Sequence, residues 1–253
     1  MRPSRAPPSA PGPSSVSEQT GRGVALVTGG SRGIGLQLAT VLAEDGWSVA
    51  VVGRDPARAE VAAGSLPGRA AGFAADVSDP EQVARLVASV TERLGPVELL
   101  VNSAGVRDQR ASPWEADPDD WWRTLEVNVR GVMLTTSAVL PGMLSRGRGC
   151  VIDLGSGLGQ RAEPRYSAYS VSKAATLRWL DNLAAALGDQ SPVRVVAVSP
   201  GLVRTDMTDA MWDHTDEPVW VSTAAVEGFV RRFAAGELDH LHGRFVHAVK
   251  DDY

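Results

Sequence analysis

A short apolar run, residues 24–27, leads directly into Thr28-Gly29-Gly30-Ser31-Arg32-Gly33-Ile34-Gly35, and an amphipathic stretch then lasts to about Asp45. This strand–turn–helix passage constrains the fold more than any other part of the chain. Glycines at 29, 33 and 35 permit a tight turn and let a pyrophosphate approach the N–H groups that open a helix. Gly29, Ser31, Arg32, Gly33, Ile34 and Gly35 are therefore candidate nucleotide contacts. A glycine-rich turn alone is a weak signal, and its place between strand and helix is what gives it weight.

The alternation continues down the chain. Apolar runs at 48–52, about 71–75, 97–101, 151–154, 193–198 and 243–247 read as strands. Stretches at 81–94, 119–145, 167–187 and 222–235 read as helices, with a further helix opening at Pro56. Strands alternating with helices predict an α/β fold, a doubly wound parallel sheet of about seven strands with helices on both faces. Ligands of such sheets sit at the C-terminal ends of the strands.

With 253 residues and 43% apolar content, the chain can bury one large core, so residues 23–253 are expected to form a single domain. Residues 1–22 hold five prolines and no apolar segment; they are expected to be a disordered Pro/Ser-rich tail rather than a secretory signal. A net charge of -5 argues against nucleic acid or an anionic membrane as partner. No apolar run reaches the length of a membrane span, and a cytoplasmic location is the default. The one cysteine, Cys150, opens a strand and suits packing. His214, His240, His242 and His247 have no metal-ligand spacing, so no metal is expected.

Chemistry concentrates at Tyr169 and Lys173, four residues apart and so on one face of a helix. An ammonium ~4 Å from a phenol, at an effective dielectric of ~20, favours the phenolate by ~4 kcal/mol. That is ~3 pKa units, enough to bring a phenol into the working range of an acid–base catalyst. The chain has only two lysines, Lys173 and Lys250, among many arginines. A lysine kept in mid-chain against that bias points to a place where the planar fork of arginine would not serve. Thirteen residues before Tyr169, Ser156 ends the run Val151-Ile152-Asp153-Leu154-Gly155, where its hydroxyl could hold a substrate oxygen.

With Asn128 upstream, the set Asn128, Ser156, Tyr169 and Lys173 resembles the catalytic tetrad of the short-chain dehydrogenase/reductase family, and Thr-Gly-x-x-x-Gly-x-Gly resembles its cofactor loop. The resemblance runs from Gly23 to about His247 and implies a Rossmann-type fold binding a nicotinamide cofactor. It implies that Asn128 locally opens its helix and holds a water relaying protons from Lys173. It places Asp76 and Val77 at the adenine, Asn102, Ala104 and Gly105 beside the cofactor, and the Pro200-Gly201 turn, Val203 and Thr205 at the nicotinamide. Tyr169 and Lys173 contact the cofactor as well as the substrate. Ser103 departs from the usual Asn-Asn-Ala-Gly. Residues 202–221 would be a substrate lid, with Met207, Met211, Trp212 and Trp220 either lining a pocket or packing on the core. The helices at 119–145 and 167–187 would form a homodimer face, often within a homotetramer.

Two cues to the cofactor conflict. Asp55 lies twenty residues after Gly35, a distance at which an acid grips a ribose 2′-hydroxyl and selects NAD(H). In the family that acid sits at the strand end, here Gly53, and is followed by Arg54. Arg54 and Arg32 would together favour a 2′-phosphate, which makes NADP(H) the expected cofactor and NAD(H) the possible one. The expected reaction interconverts a small-molecule ketone or other carbonyl and a secondary alcohol. A non-catalytic NADP(H) sensor on the same fold is the alternative, and a 3-oxoacyl-(acyl carrier protein) ketoreductase the narrower enzymatic one.

Overall fold

The computed structural model describes residues 21–209 and 218–253. Its centre is a seven-stranded, all-parallel sheet in the order β3-β2-β1-β4-β5-β6-β7. In chain order, β1 is Val24–Thr28, α1 Gly33–Glu44, β2 Ser48–Gly53, α2 Pro56–Gly64, β3 Ala70–Ala74, α3 Pro80–Arg93 and β4 Val97–Asn102. There follow α4 (Pro118–Leu125), α5 (Gly131–Arg146), β5 (Gly149–Leu154), α6 (Ser167–Leu187) and β6 (Val193–Ser199). A short α7 (Asp206–Asp209), α8 (Ala224–Ala234) and β7 (Phe245–His247) complete it.

The parallel strands read as unbroken apolar runs because helices cover both faces. Every residue of β1 is buried. One core layer joins the sheet to Leu38 and Leu42 of α1 and to Phe229 and Phe233 of α8. The other sets Leu86 and Val90 of α3, Val139 and Met143 of α5, and Leu180 and Ala184 of α6 against Leu26, Leu100 and Val195. Full burial of each such Leu or Phe side chain contributes about 2 kcal/mol. Cys150 belongs to this packing, and burial pushes its thiol up to about 12, which removes thiolate reactivity.

Each strand leads to the next through a helix, and the order reverses between β1 and β4. Strand direction puts the loops after β1, β2, β3, β4, β5 and β6 at one end of the sheet. The expected helix at 119–145 is α4 and α5 joined by a π-helical turn, Glu126–Arg130, with Asn128 at its centre. The last strand is shorter than the expected 243–247, since Gly243 turns the chain at φ 74°. The expected tail falls almost wholly outside the described residues, as do Met211, Trp212 and His214 of the expected lid.

Candidate active site

A cleft of about 710 Å³ runs along the C-terminal strand ends, lined by residues of the loops after β1, β2, β3, β4, β5 and β6. The glycine loop forms its floor. Gly29 has φ 65° and Gly33 φ 55°, a region that other residues enter only at a cost. A Cβ on Gly35 would stand 2.4 Å from the Gly29 carbonyl oxygen, so this loop folds only without a side chain there. Thr28 braces it, its hydroxyl accepting from the N–H groups of Ser103 and Ala104, both at 3.1 Å. Ser31, Arg32, Gly33, Ile34, Ala104, Gly105, Pro200, Gly201, Val203 and Thr205 all border the cleft. Asn102 does not. It is buried beneath, bonded through its amide to Thr136 and Thr135, and so shapes the turn from below.

Ser156, Tyr169 and Lys173 line one end of the same cleft. The Ser156 hydroxyl accepts from the Leu158 N–H at 3.2 Å, capping a single 3-10 turn, Gly157–Gly159. Gly159 lets that turn lie against α6, for a Cβ there would be 2.9 Å from the Lys173 carbonyl carbon. Lys173 is buried at 6% exposure, and its Nζ donates to the Leu154 carbonyl at 2.6 Å. The ammonium nitrogen is 5.8 Å from the centre of the Tyr169 ring.

Asn128 is fully buried, and its amide is committed in three directions. Oδ1 accepts from the Val106 N–H at 2.8 Å, while Nδ2 donates to the Val106 carbonyl at 2.8 Å and to Ser172 Oγ at 2.9 Å. It thus ties the loop after β4 to the helix carrying Tyr169. Both Nδ2 hydrogens are used, and Oδ1 keeps one acceptor position.

At the far end of the cleft, Asp76 and Val77 follow β3. Burial works to raise the Asp76 carboxyl, but bonds from the Ser78 hydroxyl and N–H and from Arg123 outweigh it and hold it at about 2. Arg54 borders the cleft, as does Arg58 one turn into α2. Asp55 also borders the cleft and caps α2 through Oδ1, which accepts from Ala57 N at 2.9 Å and Arg58 N at 3.2 Å. Gly53 leaves space filled by Ser31, whose Oγ would be 2.8 Å from a Cβ placed there. Arg32 pairs with Asp206 of α7 at 3.2 Å, joining the glycine loop to the segment after β6.

Three residues with a part in the site escape the sequence reading. Asp108, buried at 3% exposure, accepts from the N–H groups of Ala168 and Tyr169 at 3.0 and 3.1 Å and so caps α6 from sixty residues away. No side chain of α6 itself makes that cap, and no pattern in the sequence marks Asp108 for it. Arg123 reaches Asp76 from α4 at 2.7 Å. Asp153 is wholly buried on β5, and neither oxygen has a hydrogen-bond partner among the described residues. Burial pushes its carboxyl up, and the positive charge of Lys173 pulls it partly back.

Arg146 and Arg148 lie elsewhere. They bond to the Val97 carbonyl and to Glu98, at the opening of β4 and therefore at the end of the sheet opposite the cleft. No helix among the described residues is long and apolar enough to cross a membrane.

A parallel sheet with this strand order and a glycine-floored cleft at its switch point defines a dinucleotide-binding fold of the Rossmann type. The family model described as short chain dehydrogenase matches residues 23–216, and the chain belongs to that family. A short chain dehydrogenase of Pseudocercospora fijiensis is 38% identical over 189 residues, 72% of this chain and 60% of that protein. The crystal structure of a gluconate 5-dehydrogenase from Burkholderia cenocepacia, in complex with NADP and tartrate, has TM-score 0.81 and 27% identity, covering 90% of this chain and 94% of that one. A 3-oxoacyl-[acyl-carrier protein] reductase from Brucella melitensis, in complex with NAD, has TM-score 0.81 and 30% identity, covering 90% and 95%.

Proposed function

We propose that this protein is a nicotinamide-dependent oxidoreductase that interconverts a carbonyl and a secondary alcohol. The observation that carries the reading is one cleft with a side-chain-free glycine floor at its centre and Ser156, Tyr169 and Lys173 together at one end. Gly29, Ser31, Arg32, Gly33, Ile34 and Gly35 would hold the pyrophosphate, and Ala104, Gly105, Pro200, Gly201, Val203 and Thr205 would flank the nicotinamide. When bound, that cofactor supplies or accepts the hydride.

The chain's own residues manage the proton and the alignment. Ser156 holds the substrate oxygen. Tyr169 delivers a proton to that oxygen in reduction and removes it in oxidation. Lys173, fixed by the Leu154 carbonyl, keeps a positive charge beside the phenol, and Asn128 steadies the helix that carries both. A sensor would have no use for a proton donor, so the non-catalytic alternative leaves Tyr169 and Lys173 unexplained.

NADP(H) is the proposed cofactor. Arg32, Arg54 and Arg58 border the cleft together with Asp55, whose Oδ1 caps α2, and three guanidiniums around one carboxylate suit a 2′-phosphate. A substrate on an acidic carrier protein would want basic residues at the pocket rim, and it is less favoured because Arg146 and Arg148 lie at the far end of the sheet. The cytoplasm, with its nicotinamide pool, is the proposed compartment.

A panel of ketones and alcohols, assayed with both cofactors by nicotinamide absorbance, tests the reading. At least one should turn over, and Tyr169→Phe should abolish turnover while cofactor affinity stays within a few-fold. Cofactor binding with no turnover of any carbonyl would instead favour the sensor.

A further inference from the structure

Asp153 lies on β5 between Asn102 of β4 and Ala197 of β6. Side chains alternate along a strand, and Val151 packs with α3, α5 and α6 while Ile152 and Leu154 pack with α1 and α8. Asp153 therefore faces α6, where Ser172, Lys173 and Thr176 are buried as well. Lys173 reaches the same stretch of strand, since its Nζ donates to the carbonyl of Leu154, the next residue.

Among the described residues no donor answers this carboxyl. The Ser172 hydroxyl donates to the Tyr169 carbonyl at 2.8 Å, and the Thr176 hydroxyl to the Lys173 carbonyl at 3.1 Å. On the side of β4 and α5, the Asn102 amide is bonded to Thr136 at 3.1 Å and to Thr135 at 2.8 Å. These groups are uncharged, as is Ala197, so among the described residues the charge that bears on Asp153 is that of Lys173. A wholly buried carboxyl without donors costs stability, and packing alone would be better served by an uncharged side chain. Its strong interaction is with the same ammonium that acts on Tyr169.

We propose that Asp153 is a positioning residue that acts through Lys173. It gives up its proton within the working pH range, and as a carboxylate it offsets the charge that Lys173 directs at the phenol. The pull of Lys173 on the phenol proton then weakens, so Asp153 sets the pH at which alcohol oxidation begins. The inference rests on Tyr169 being the acid–base group of the proposed reaction.

The experiment measures kcat/KM for alcohol oxidation across pH in the unmodified protein, Asp153→Asn and Asp153→Thr. In both variants the rise of activity should move to lower pH by about half a unit or more, because neither can carry the opposing charge. A residue that only packs would change kcat or stability without moving that profile. An unchanged profile in both variants, or a shift to higher pH, overturns the proposal. Infrared difference spectra of the unmodified protein, taken between acid and alkaline pH, give a second reading that needs no variant. A protonated-carboxyl band should persist above the ordinary carboxylate range of about 4 and vanish as pH rises through the working range. Its absence overturns the proposal even if neither variant folds. Undiminished turnover in Tyr169→Phe is a separate result, which removes the acid–base reading and the inference with it.

Discussion

The N–H of Tyr169 donates to Asp108 Oδ1 at 3.1 Å, across 61 positions of chain. Because the Ala168 N–H donates to the other oxygen, the first turn of α6 is held from outside the helix. Asp108→Ala should strand two buried donors and cost about 1–3 kcal/mol in urea unfolding. Turnover should fall further than cofactor affinity, since the phenol loses its fixed height in the cleft. Coincident unfolding curves would show that the cap contributes nothing.

Lys173 is held at 2.6 Å by a main-chain carbonyl in a nearly closed pocket. A guanidinium is larger and planar, and does not present a compact point charge at the position of Nζ. Lys173→Arg should therefore lose at least about tenfold in kcat despite keeping its charge. Steady-state kinetics on the best ketone of the panel measures this, and wild-type kcat would show that charge alone suffices.

Cofactor choice separates Arg54 from Asp55. Arg54→Asp should weaken NADPH binding and bring NADH toward parity. Asp55→Ala should leave the ratio of the two unchanged while costing about 1 kcal/mol of stability through the lost α2 cap. Titration calorimetry with both cofactors decides, and a protein that already uses NADH more efficiently would reverse the assignment.

Two carboxyls give stability opposite dependences on pH. Asp76 is held at about 2 against an ordinary 3.8, so its contribution is present above 3.8 and lost as pH falls toward 2. Allowing for partial exposure it amounts to about 1 kcal/mol, and Arg123→Gln should remove much of it. Asp153 is raised, so its contribution is full below 3.8 and lost as pH rises through its folded value. Asp153→Asn should flatten that decline. Urea midpoints measured across pH check both signs.

Assembly is the remaining expectation. Trp122 on α4, Met133 and Leu144 on α5 and Val171 on α6 are large apolar side chains open to solvent. We propose that these helices pair with a second copy, as members of this family commonly do. Light scattering at micromolar concentration should give at least twice the 26.7 kDa chain mass, and a monomer would refute the pairing.

What the sequence determined by itself is local in origin. The strand–turn–helix at 24–44 was legible because glycine spacing and apolar patterning act over a few residues. The same holds for the Tyr169–Lys173 face of α6, since a helix fixes the direction of residues four apart. The resemblance implied only a local opening of the helix at Asn128, and the structure gives it the form of a π-helical turn. The tertiary structure alone decided which partners those residues have. Nothing near Asp108 announces that it caps a helix sixty residues later. Arg123 meets Asp76, and Lys173 meets Leu154, because the sheet order brings distant loops to one end. Such contacts depend on packing in three dimensions, which leaves no period in the chain to read.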